Sequence, residues 1–499
     1  KLMLVSENNK LQILSFLQLG EYKAVEEKSN ILVNEGYSDP WLCNILAVCL
    51  AKQKKYLLAV KYFEILRDLY PNEHQTYFNL GNLYRDAKNQ KKALENYLLS
   101  YKKNQKHLDT IIEISKILMR IGKIDESKTY ALKAKKLDPN SYQVNDLFGQ
   151  IYHSTGEFIK ALKIYKKLLN IPGKIEQTKV NIASNLVELG NYTEAKKFLE
   201  GNKTQQAKYN LSILKLREKN FLEGWSGYDI GIDIDERYLR VPKDRLKKLA
   251  LWNPEKDLSS VLIIGEQGIG DEIMFASLLS SLDSSKYRIG LLLDKRLKTL
   301  LSMSLYKHDF FEKIDDAILK GYESYIPIGS LSKYFRNSEG DFLKSKKFVL
   351  NADEEKIRYL KNSYNSSKPI IGLSWHTTNK CHGLLRNIKL KQFLPLFTNV
   401  NANFINLQYG DHKDEIFKVT KKVKKNVFLE DSIDNKNDFD FFAAKISVCD
   451  LVVTIDNSTV HFAGSLNKET IALIPEICDW RWFDVSEKTL WYESVRLFR

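Results

Sequence analysis

The chain of 499 residues is longer than one hydrophobic core usually organises, so two or three domains are expected. Hydrophobic residues make up 43% of it and charged residues 28%, which excludes an intrinsically disordered chain. The net charge is +15, and most of the excess lies in residues 1–230, where scattered lysines favour a solvated surface. Steering of an acidic partner, anionic lipid or nucleic acid stays open.

Cysteine usage and the first residues bear on the compartment. The five cysteines form no CxxC pair and no metal spacing, which is typical of reduced thiols in the cytoplasm; they are Cys43, Cys49, Cys381, Cys449 and Cys478. No run of 18 apolar residues occurs, and residues 1–10 lack the apolar stretch of a secretory signal, so we expect neither a spanning helix nor export. The first residue is Lys rather than Met, and a preceding segment therefore stays open.

A period of 34 residues organises the first part of the chain. Small residues recur in one phase and larger apolar residues in two others: Ala59, Ala93, Ser127, Ala161 and Ala195; Leu46, Leu80, Ile114, Phe148 and Ile182; Phe63, Tyr97, Ala131, Tyr165 and Leu199. This pattern resembles the tetratricopeptide repeat, a pair of antiparallel helices. With a degenerate copy near Gly20 and a last one ending at Tyr228, it predicts six or seven hairpins over residues 1–228.

Such hairpins stack into a solenoid whose concave surface usually holds a polypeptide. An array that only dimerises the chain or supports another domain is the alternative.

From about residue 229 short β-branched runs alternate with helical stretches, which indicates parallel sheets with crossover helices. The predicted strands are Val261–Ile264, Ile289–Leu293, Ile370–Leu373, Phe404–Leu407, Leu451–Ile455 and Thr470–Ile474. A cluster of Asn, Ser and Pro over residues 361–369 marks a joint, so we expect one lobe over 229–365 and a second over 366–499 with a closing C-terminal helix.

Two motifs follow predicted strands. In the first, residues 264–271, Gly268 and Gly270 let backbone N–H groups approach an anionic ligand, and Asp271 is either a general base or a helix cap. The second, residues 450–464, ends a strand and opens a helix. Its candidate ligand contacts are Asp456 for sugar hydroxyls, Asn457, Ser458 and Thr459 for a diphosphate, His461 for phosphate or for holding the turn, and Lys468 for phosphate charge.

These motifs resemble those of bacterial tetratricopeptide-fused glycosyltransferases related to the lipopolysaccharide heptosyltransferases. The resemblance rests on Gly270 and Asp271, strands 372–375 and 406–411, residues 456–464, the ending 479–482, Trp491, Tyr492 and residues 496–499. It implies a GT-B fold of two Rossmann-like lobes, with acceptor on the first and nucleotide-sugar on the second.

The resemblance also assigns roles. It implies an inverting, metal-free transfer with Asp271 as general base, donor binding by residues 456–461, and cleft contacts from Thr377 and Arg386. Ser458 stands where the heptose branch has glycine, so heptose does not follow as the donor sugar. Arg386 and Lys468 would stabilise the leaving diphosphate.

The sequence thus predicts a metal-independent inverting glycosyltransferase with no cofactor beyond its nucleotide-sugar co-substrate, acting on a protein, such as a flagellin-like one, held by the repeats. Two DxD patterns, at 233–235 and 438–440, are interpreted as linker and helix-start residues rather than metal ligands. The alternatives are a non-catalytic repeat scaffold with a vestigial nucleotide-sugar domain and, further off, a nucleic-acid scaffold.

Overall fold

The fold is taken from a computed structural model of the chain. It describes residues 4–37, 39–266, 268–305, 307–344, 350–364, 367–378, 386–423, 427–429, 433–483 and 486–499. These residues divide by packing into two compact units, residues 1–185 and 186–499. No helix in the described ranges combines the length and the apolar character needed to cross a membrane.

The first part of the described chain is helical. Fourteen helices follow one another as seven antiparallel pairs: α1 (Glu7–Gln18), α2 (Tyr22–Asn34), α3 (Pro40–Lys52), α4 (Tyr56–Leu69), α5 (His74–Asp86), α6 (Gln90–Lys103), α7 (Leu108–Arg120), α8 (Ile124–Leu137), α9 (Tyr142–Ser154), α10 (Phe158–Leu168), α11 (Ile175–Glu188), α12 (Tyr192–Leu199), α13 (Gln205–Arg217) and α14 (Phe221–Tyr228). The predicted number of hairpins is confirmed.

The small residue of each repeat lies where the two helices of a hairpin cross. All five are fully buried, as are most members of the two larger phases. Where Ser127 replaces alanine, its hydroxyl lies 2.9 Å from that of Ser115, and each hydroxyl also donates to the other residue's carbonyl. The repeat therefore tolerates a hydroxyl at the crossing because its hydrogen bonds are satisfied there.

Each turn between paired helices needs one residue in the left-handed region. Six such residues recur every 34 positions: Gly20, Lys54, Lys88, Gly122, Gly156 and Gly190, with φ between 61° and 83°. Two of them are lysines, which pay the steric cost of that conformation that glycine avoids. The period of the repeat is thus imposed on backbone conformation even where the residue type resists it.

The first parallel sheet lies in residues 250–327. Its strands are β1 (Ala250–Leu251), β2 (Ser260–Ile264), β3 (Arg288–Leu292), β4 (Asp309–Phe310) and β5 (Ser324–Pro327), in the order β1-β5-β2-β3-β4. Strand β2 is buried along its whole length, as expected of a central strand covered on both faces.

A second parallel sheet lies in residues 370–498. Its strands are β6 (Ile370–Ser374), β7 (Asn403–Asn406), β8 (Val427–Phe428), β9 (Leu451–Ile455), β10 (Thr470–Leu473) and β11 (Val495–Phe498), in the order β11-β10-β9-β6-β7-β8. All six predicted strands are confirmed to within one residue at each end. The predicted closing helix is wrong: residues 495–498 alternate between buried and exposed and pair with β10 as a strand.

Short helices connect and cover the two sheets. They are α15 (Ile230–Asp233), α16 (Ile269–Ala276), α17 (Lys298–Ser304), α18 (Asp316–Lys320), α19 (Ser332–Phe335), α20 (Glu339–Lys344), α21 (Glu354–Tyr364), α22 (Leu390–Phe393), α23 (Lys413–Val423), α24 (Phe439–Ser447) and α25 (Ser458–Ser465).

The last hairpin packs into the core of the second unit. Trp225 and Tyr228 on α14 contact the ring of Trp480 edge-on, with centroids 5.5 and 5.9 Å away, and Trp225 Nε1 donates to the carbonyl of Arg336. Periodicity alone placed the repeat boundary at residue 228. By packing, the units divide at 185/186, within α11, and the last hairpin contributes Leu216, Phe221, Trp225 and Tyr228 to the core of the second unit.

We expect opposite effects from two substitutions in the repeat turns. Gly122→Ala forces a Cβ into the left-handed region and lowers the free energy of unfolding by about 1 kcal/mol, whereas Lys88→Gly removes that cost and raises it by a few tenths to about 1 kcal/mol. Thermal unfolding of residues 1–185 within the full chain, followed by circular dichroism, checks both signs. Equal shifts in one direction would contradict the account.

Candidate functional site

A polar cleft opens where the carboxyl ends of the two sheets meet. It encloses about 490 Å³ and is lined by Gly268, Ile269, Gly270, Asp271, Thr377, Thr378, Arg386, Tyr409, Asp456, Asn457, Ser458, His461, Asp479 and Arg481. Carboxyl ends of parallel strands are where open α/β sheets bind ligands. Eight of the residues that the sequence singled out for the site therefore lie together with Asp271 in this cleft; among them are both glycines and Arg386.

The glycine turn lies at the end of β2 and starts α16. A Cβ at Gly270 would come within 2.6 Å of His461 Cδ2, and one at Gly268 within 2.6 Å of Asp271 Oδ2. The two glycines thus make room for side chains of the protein itself. They allow α16 and α25 to approach each other and leave Asp271 at the mouth of the cleft.

Two arginines from the segment after α15 hold this turn. Arg237 donates from Nε and Nη2 to the two carboxylate oxygens of Glu266, at 2.9 and 2.6 Å, and its guanidinium stacks 3.8 Å from the Tyr228 ring centre. Both side chains are almost fully buried. Loss of either partner would leave an unpaired buried charge, which costs about 3–5 kcal/mol.

The second pair joins Arg240 to Glu272, a fully buried residue next to Asp271. Glu272 also accepts the backbone N–H of Asp294 at 2.8 Å, while Arg240 reaches Asp294 Oδ2 at 3.0 Å. Burial raises the pKa of Glu272 to about 7, against the opposing effect of Arg240. We name Arg237, Arg240, Glu266 and Glu272 together the arginine clamp.

Asp271 is held by an ion pair across the cleft. Arg481 Nη2 lies 2.7 Å from Asp271 Oδ1, and Arg481 Nη1 lies 2.6 Å from Asp479 Oδ1. Burial raises the pKa of Asp271 above its ordinary value even though Arg481 opposes the shift. Burial would also raise the pKa of Asp479, but Arg481 and Arg386 more than offset it and lower that pKa to about 2. Asp271 is therefore the more basic of the two carboxylates.

A second arginine, Arg386, shares Asp479 with Arg481 and also pairs with Asp456. Arg386 Nε is 3.1 Å from Asp456 Oδ2, and its Nη2 is 3.8 Å from Asp479 Oδ2. Burial raises the pKa of Asp456 despite the Arg386 charge. Asp456 thus holds the Arg386 guanidinium in the cleft rather than presenting two free oxygens to a sugar.

The turn after β9 is largely satisfied by its own hydrogen bonds. Asn457 caps α25 through Oδ1, which accepts from Thr459 N at 2.9 Å, while its Nδ2 donates to Ser374 Oγ at 2.8 Å. Thr459 Oγ1 lies 3.2 Å from the same hydroxyl and is fully buried. The prediction that Thr459 contacts a diphosphate is wrong, because the Thr459 side chain lies beneath the surface of the cleft. Ser458 lines the cleft and keeps that role open.

His461 lies on the cleft side of α25 and is neutral. Burial, reinforced by the Arg481 charge, lowers its pKa to about 3. Its Nδ1 lies 3.0 Å from the Tyr492 hydroxyl, and its ring stacks on Trp482 with centroids 5.4 Å apart. Of the two interpretations left open by the sequence, these contacts favour a residue that holds the turn.

The loop after β6 is fixed from below by Gln408. Its Oε1 accepts hydrogen bonds from Trp375 N and His376 N at 3.0 and 2.8 Å. Thr377 Oγ1 accepts a hydrogen bond from the Tyr409 hydroxyl at 3.3 Å. Thr377 is thereby presented at the cleft as predicted from the resemblance. Residues 379–385 of the same predicted segment, including Cys381, lie outside the described residues.

Lys468 does not reach the cleft. It follows the carboxyl end of α25, about 12 Å along the helix from Ser458, and its Nζ donates to the carbonyl of Ser447. The predicted phosphate role is therefore wrong for this residue. Asp438 caps α24 by accepting from Phe441 N, as expected of a helix-start residue.

Sequence reasoning missed Asp479, Arg481 and the arginine clamp. Residues 479–482 are part of the family resemblance, but nothing in them indicates that Arg481 forms an ion pair with Asp271, 210 positions earlier in the chain. Arg237 and Arg240 lie in what periodicity treated as a linker. The available signal was a pair of arginines three residues apart in the segment before β2, the strand that leads into the glycine turn with Asp271.

Comparison with known proteins identifies the repeats. Models of the tetratricopeptide repeat match residues 45–73, 108–141 and 142–174. The chain therefore carries tetratricopeptide repeats.

Among curated relatives, Protein FlbA of Caulobacter vibrioides is 25% identical over 310 residues, 55% of this chain and 49% of FlbA. The mitochondrial import receptor subunit TOM70 of Saccharomyces cerevisiae is 22% identical over 204 residues, 38% of this chain and 33% of TOM70. The chain thus spans half or less of the relatives it matches. A solved tetratricopeptide repeat protein from Parabacteroides merdae covers 48% of this chain and 95% of its own, with 14% identity and a TM-score of 0.43.

We expect the buried carboxyl of Glu272 to make the second unit less stable as pH rises. Its folded pKa of about 7 exceeds the ordinary value of 4.5, so the folded state binds the proton more tightly. The protonated carboxyl stabilises the fold below pH 4.5. This stabilisation, at most about 3 kcal/mol, is lost as pH rises through 7. Chemical unfolding followed by tryptophan fluorescence should show a smaller loss between pH 5 and pH 8 in Glu272→Gln. Identical losses in both proteins would contradict the assignment.

Proposed function

We propose that residues 186–499 form a metal-independent, inverting glycosyltransferase of GT-B type that uses a nucleotide-sugar. The observation that carries the proposal is the cleft, where Asp271 at the end of one parallel sheet faces Arg386, Arg481 and the α25 turn at the end of the other. Metal independence follows from the family resemblance of the two motifs. The same resemblance supplies the idea of a sugar donor.

The cleft offers two cations for a diphosphate. Arg386 and Arg481 are each paired with carboxylates, and their planar guanidinium groups suit bidentate contact with phosphate oxygens. Ser458 N lies at the start of α25, where the helix dipole favours negative charge. Three aspartates and two arginines line the cleft, so these side chains give it no excess of positive charge. A donor would therefore be held by geometry more than by net charge.

The proposed reaction is a single displacement. An acceptor hydroxyl attacks the anomeric carbon, its proton passes to Asp271, the bond from that carbon to the diphosphate oxygen breaks, and the nucleotide diphosphate departs with the electron pair. Arg481 contacts Asp271 through Oδ1, which leaves Oδ2 for the proton. If donor phosphate draws Arg481 away, the pKa of Asp271 rises further, and the base becomes stronger when substrate is bound.

A protein acceptor bound by the repeats completes the proposal. Tetratricopeptide repeats form surfaces that bind other proteins. The FlbA match covers 55% of the chain, more than residues 1–228 contain, so the likeness extends past the repeats into the α/β part. Such joint similarity supports repeats and α/β part acting together.

We expect Asp271→Asn to reduce donor turnover by on the order of 10²–10⁴-fold while donor affinity changes little, because the amide keeps the shape but cannot take a proton. The assay follows nucleotide release from UDP-, GDP-, ADP- and CMP-sugars by the full chain. The matched control is Asp316→Asn, which replaces an exposed carboxylate that does not line the cleft. Undiminished release by Asp271→Asn would refute the base assignment.

A non-catalytic scaffold is the second candidate, and the matches to known proteins favour it, since the family models cover only repeats. The related curated sequences also include TOM70 and subunit 3 of the anaphase-promoting complex of Schizosaccharomyces pombe. Under this candidate no donor is turned over, and Asp271→Asn leaves glycosylation in the cell unchanged.

A further inference from the structure

A second cavity of the α/β part opens near the carboxyl ends of β3 and β4. It encloses about 500 Å³, and its walls come from residues 240–245, 292–296 and 312–314. It shares no lining residue with the cleft that contains Asp271. A cavity of this size at the carboxyl edge of a parallel sheet is suited to a small ligand.

Positive charge is in excess around this cavity. Five of the lining side chains are basic and two are acidic: Arg240, Arg245, Lys295, Arg296 and Lys313, with Asp294 and Glu312. Their ion-pair partners from outside the cavity are one lysine and two acids: Lys298, Glu272 and Asp316. The cavity and these partners together therefore keep an excess of two positive charges, or three when Glu272 carries a proton.

Asp294 holds two of the arginines in place. Its Oδ1 lies 2.9 Å from Arg296 Nε and its Oδ2 lies 2.9 Å from Arg296 Nη2, while Oδ2 also accepts from Arg240 Nη2 at 3.0 Å. Arg296 Nη1 donates to the carbonyl of Lys436 at 2.8 Å. These contacts position both guanidinium groups at the cavity before any ligand arrives.

The other three cations of the cavity are bound loosely or not at all. In the described chain, the side chains of Lys295 and Lys313 form no ion pair or hydrogen bond with another residue. Arg245 donates to the Ile314 carbonyl at 3.3 Å and lies 3.6 Å from Asp316, whose side chain is 88% exposed. Exposed pairs of this kind contribute little to stability. Arg245, Lys295 and Lys313 are therefore available to a ligand.

We propose that this cavity binds a small phosphorylated molecule whose phosphate groups carry two to three negative charges, with phosphate oxygens on Arg245, Lys295 and Lys313. A single carboxylate would neutralise only one of the excess charges. A diphosphate matches the excess, and its several oxygens can accept from a guanidinium fork and from two ammonium groups at once. The organic part of the ligand can lie against Pro242 and Ile314, which also line the cavity.

A small molecule fits better than an extended polyanion. Basic side chains near the cavity are already paired with acids: Lys243 with Asp233, Lys247 with Asp244, Arg288 with Asp309 and Lys298 with Glu312. A nucleic acid or an acidic polypeptide that ran beyond the cavity would compete with these acids for each further contact. The unpaired positive charge is thus concentrated inside the cavity.

The test is calorimetric titration of the full chain with sodium pyrophosphate at constant ionic strength. We expect a binding event that Lys295→Gln with Lys313→Gln weakens at least about tenfold, because two charge-assisted hydrogen bonds are lost. The same loss is expected in a chain that also carries Arg386→Gln, so the result does not depend on the proposed donor cleft. The matched control, Lys391→Gln with Lys488→Gln, removes two exposed lysines outside the cavity and should bind as the wild type.

Three results would overturn the proposal. They are pyrophosphate binding that does not respond to the lysine substitutions, an equal loss in the control variant, and binding of citrate or poly-glutamate as tight as that of pyrophosphate, which would assign the cavity to carboxylates. Circular dichroism of each variant checks that it is folded. Weakened pyrophosphate binding in the folded lysine variant, with weaker binding of citrate by the wild type, supports the phosphate site.

Discussion

Two buried ion pairs, Arg237 with Glu266 and Arg240 with Glu272, fix the glycine turn on which the cleft depends. The turn carries Asp271 and has little side-chain volume of its own, so its shape must be set from outside. The arginines come from the segment after the last hairpin, and Arg240 N also donates to the carbonyl of Gly265. The cost of burying these charges is offset only while both partners are present.

The clamp links the last hairpin to the site through covalent neighbours and stacking. Arg237 lies on Tyr228, Tyr228 contacts Trp480, and Arg481 follows directly in sequence and holds Asp271. From α14 onward the helical part is thus one structure with the sheets. Packing places the end of the first unit at residue 185, and the helical hairpins continue to residue 228 within the second unit.

Periodic and local signals made most of the fold predictable. The 34-residue phases predicted the crossings of five of the seven hairpins, and apolar runs predicted six of the eight strands of four or more residues in the described chain, missing β5 and β11, because buried strands leave a strong pattern. Two-residue edge strands such as β1 and β8 leave none. Strand β11 was taken for a helix because only its pairing with β10 reveals its alternation. Asp271 and Asp456 could be located from strand ends and Arg386 from the family resemblance, whereas Arg481 and the clamp depend on contacts between distant segments. Lys468 was misassigned because distance along a helix is not visible in a motif.

The central claim is that Arg386 and Arg481 hold a nucleotide in the cleft between the two sheets. Calorimetric titration of the full chain with UDP, GDP, ADP and CMP tests it most directly, alongside Arg386→Gln and the exposed-surface control Arg358→Gln. The account predicts that one nucleotide binds the wild type and the control alike, and that Arg386→Gln weakens it at least about tenfold, since a charge-assisted hydrogen bond contributes about 1.5–3 kcal/mol. Binding of none of the four, or unchanged affinity in Arg386→Gln, would contradict it.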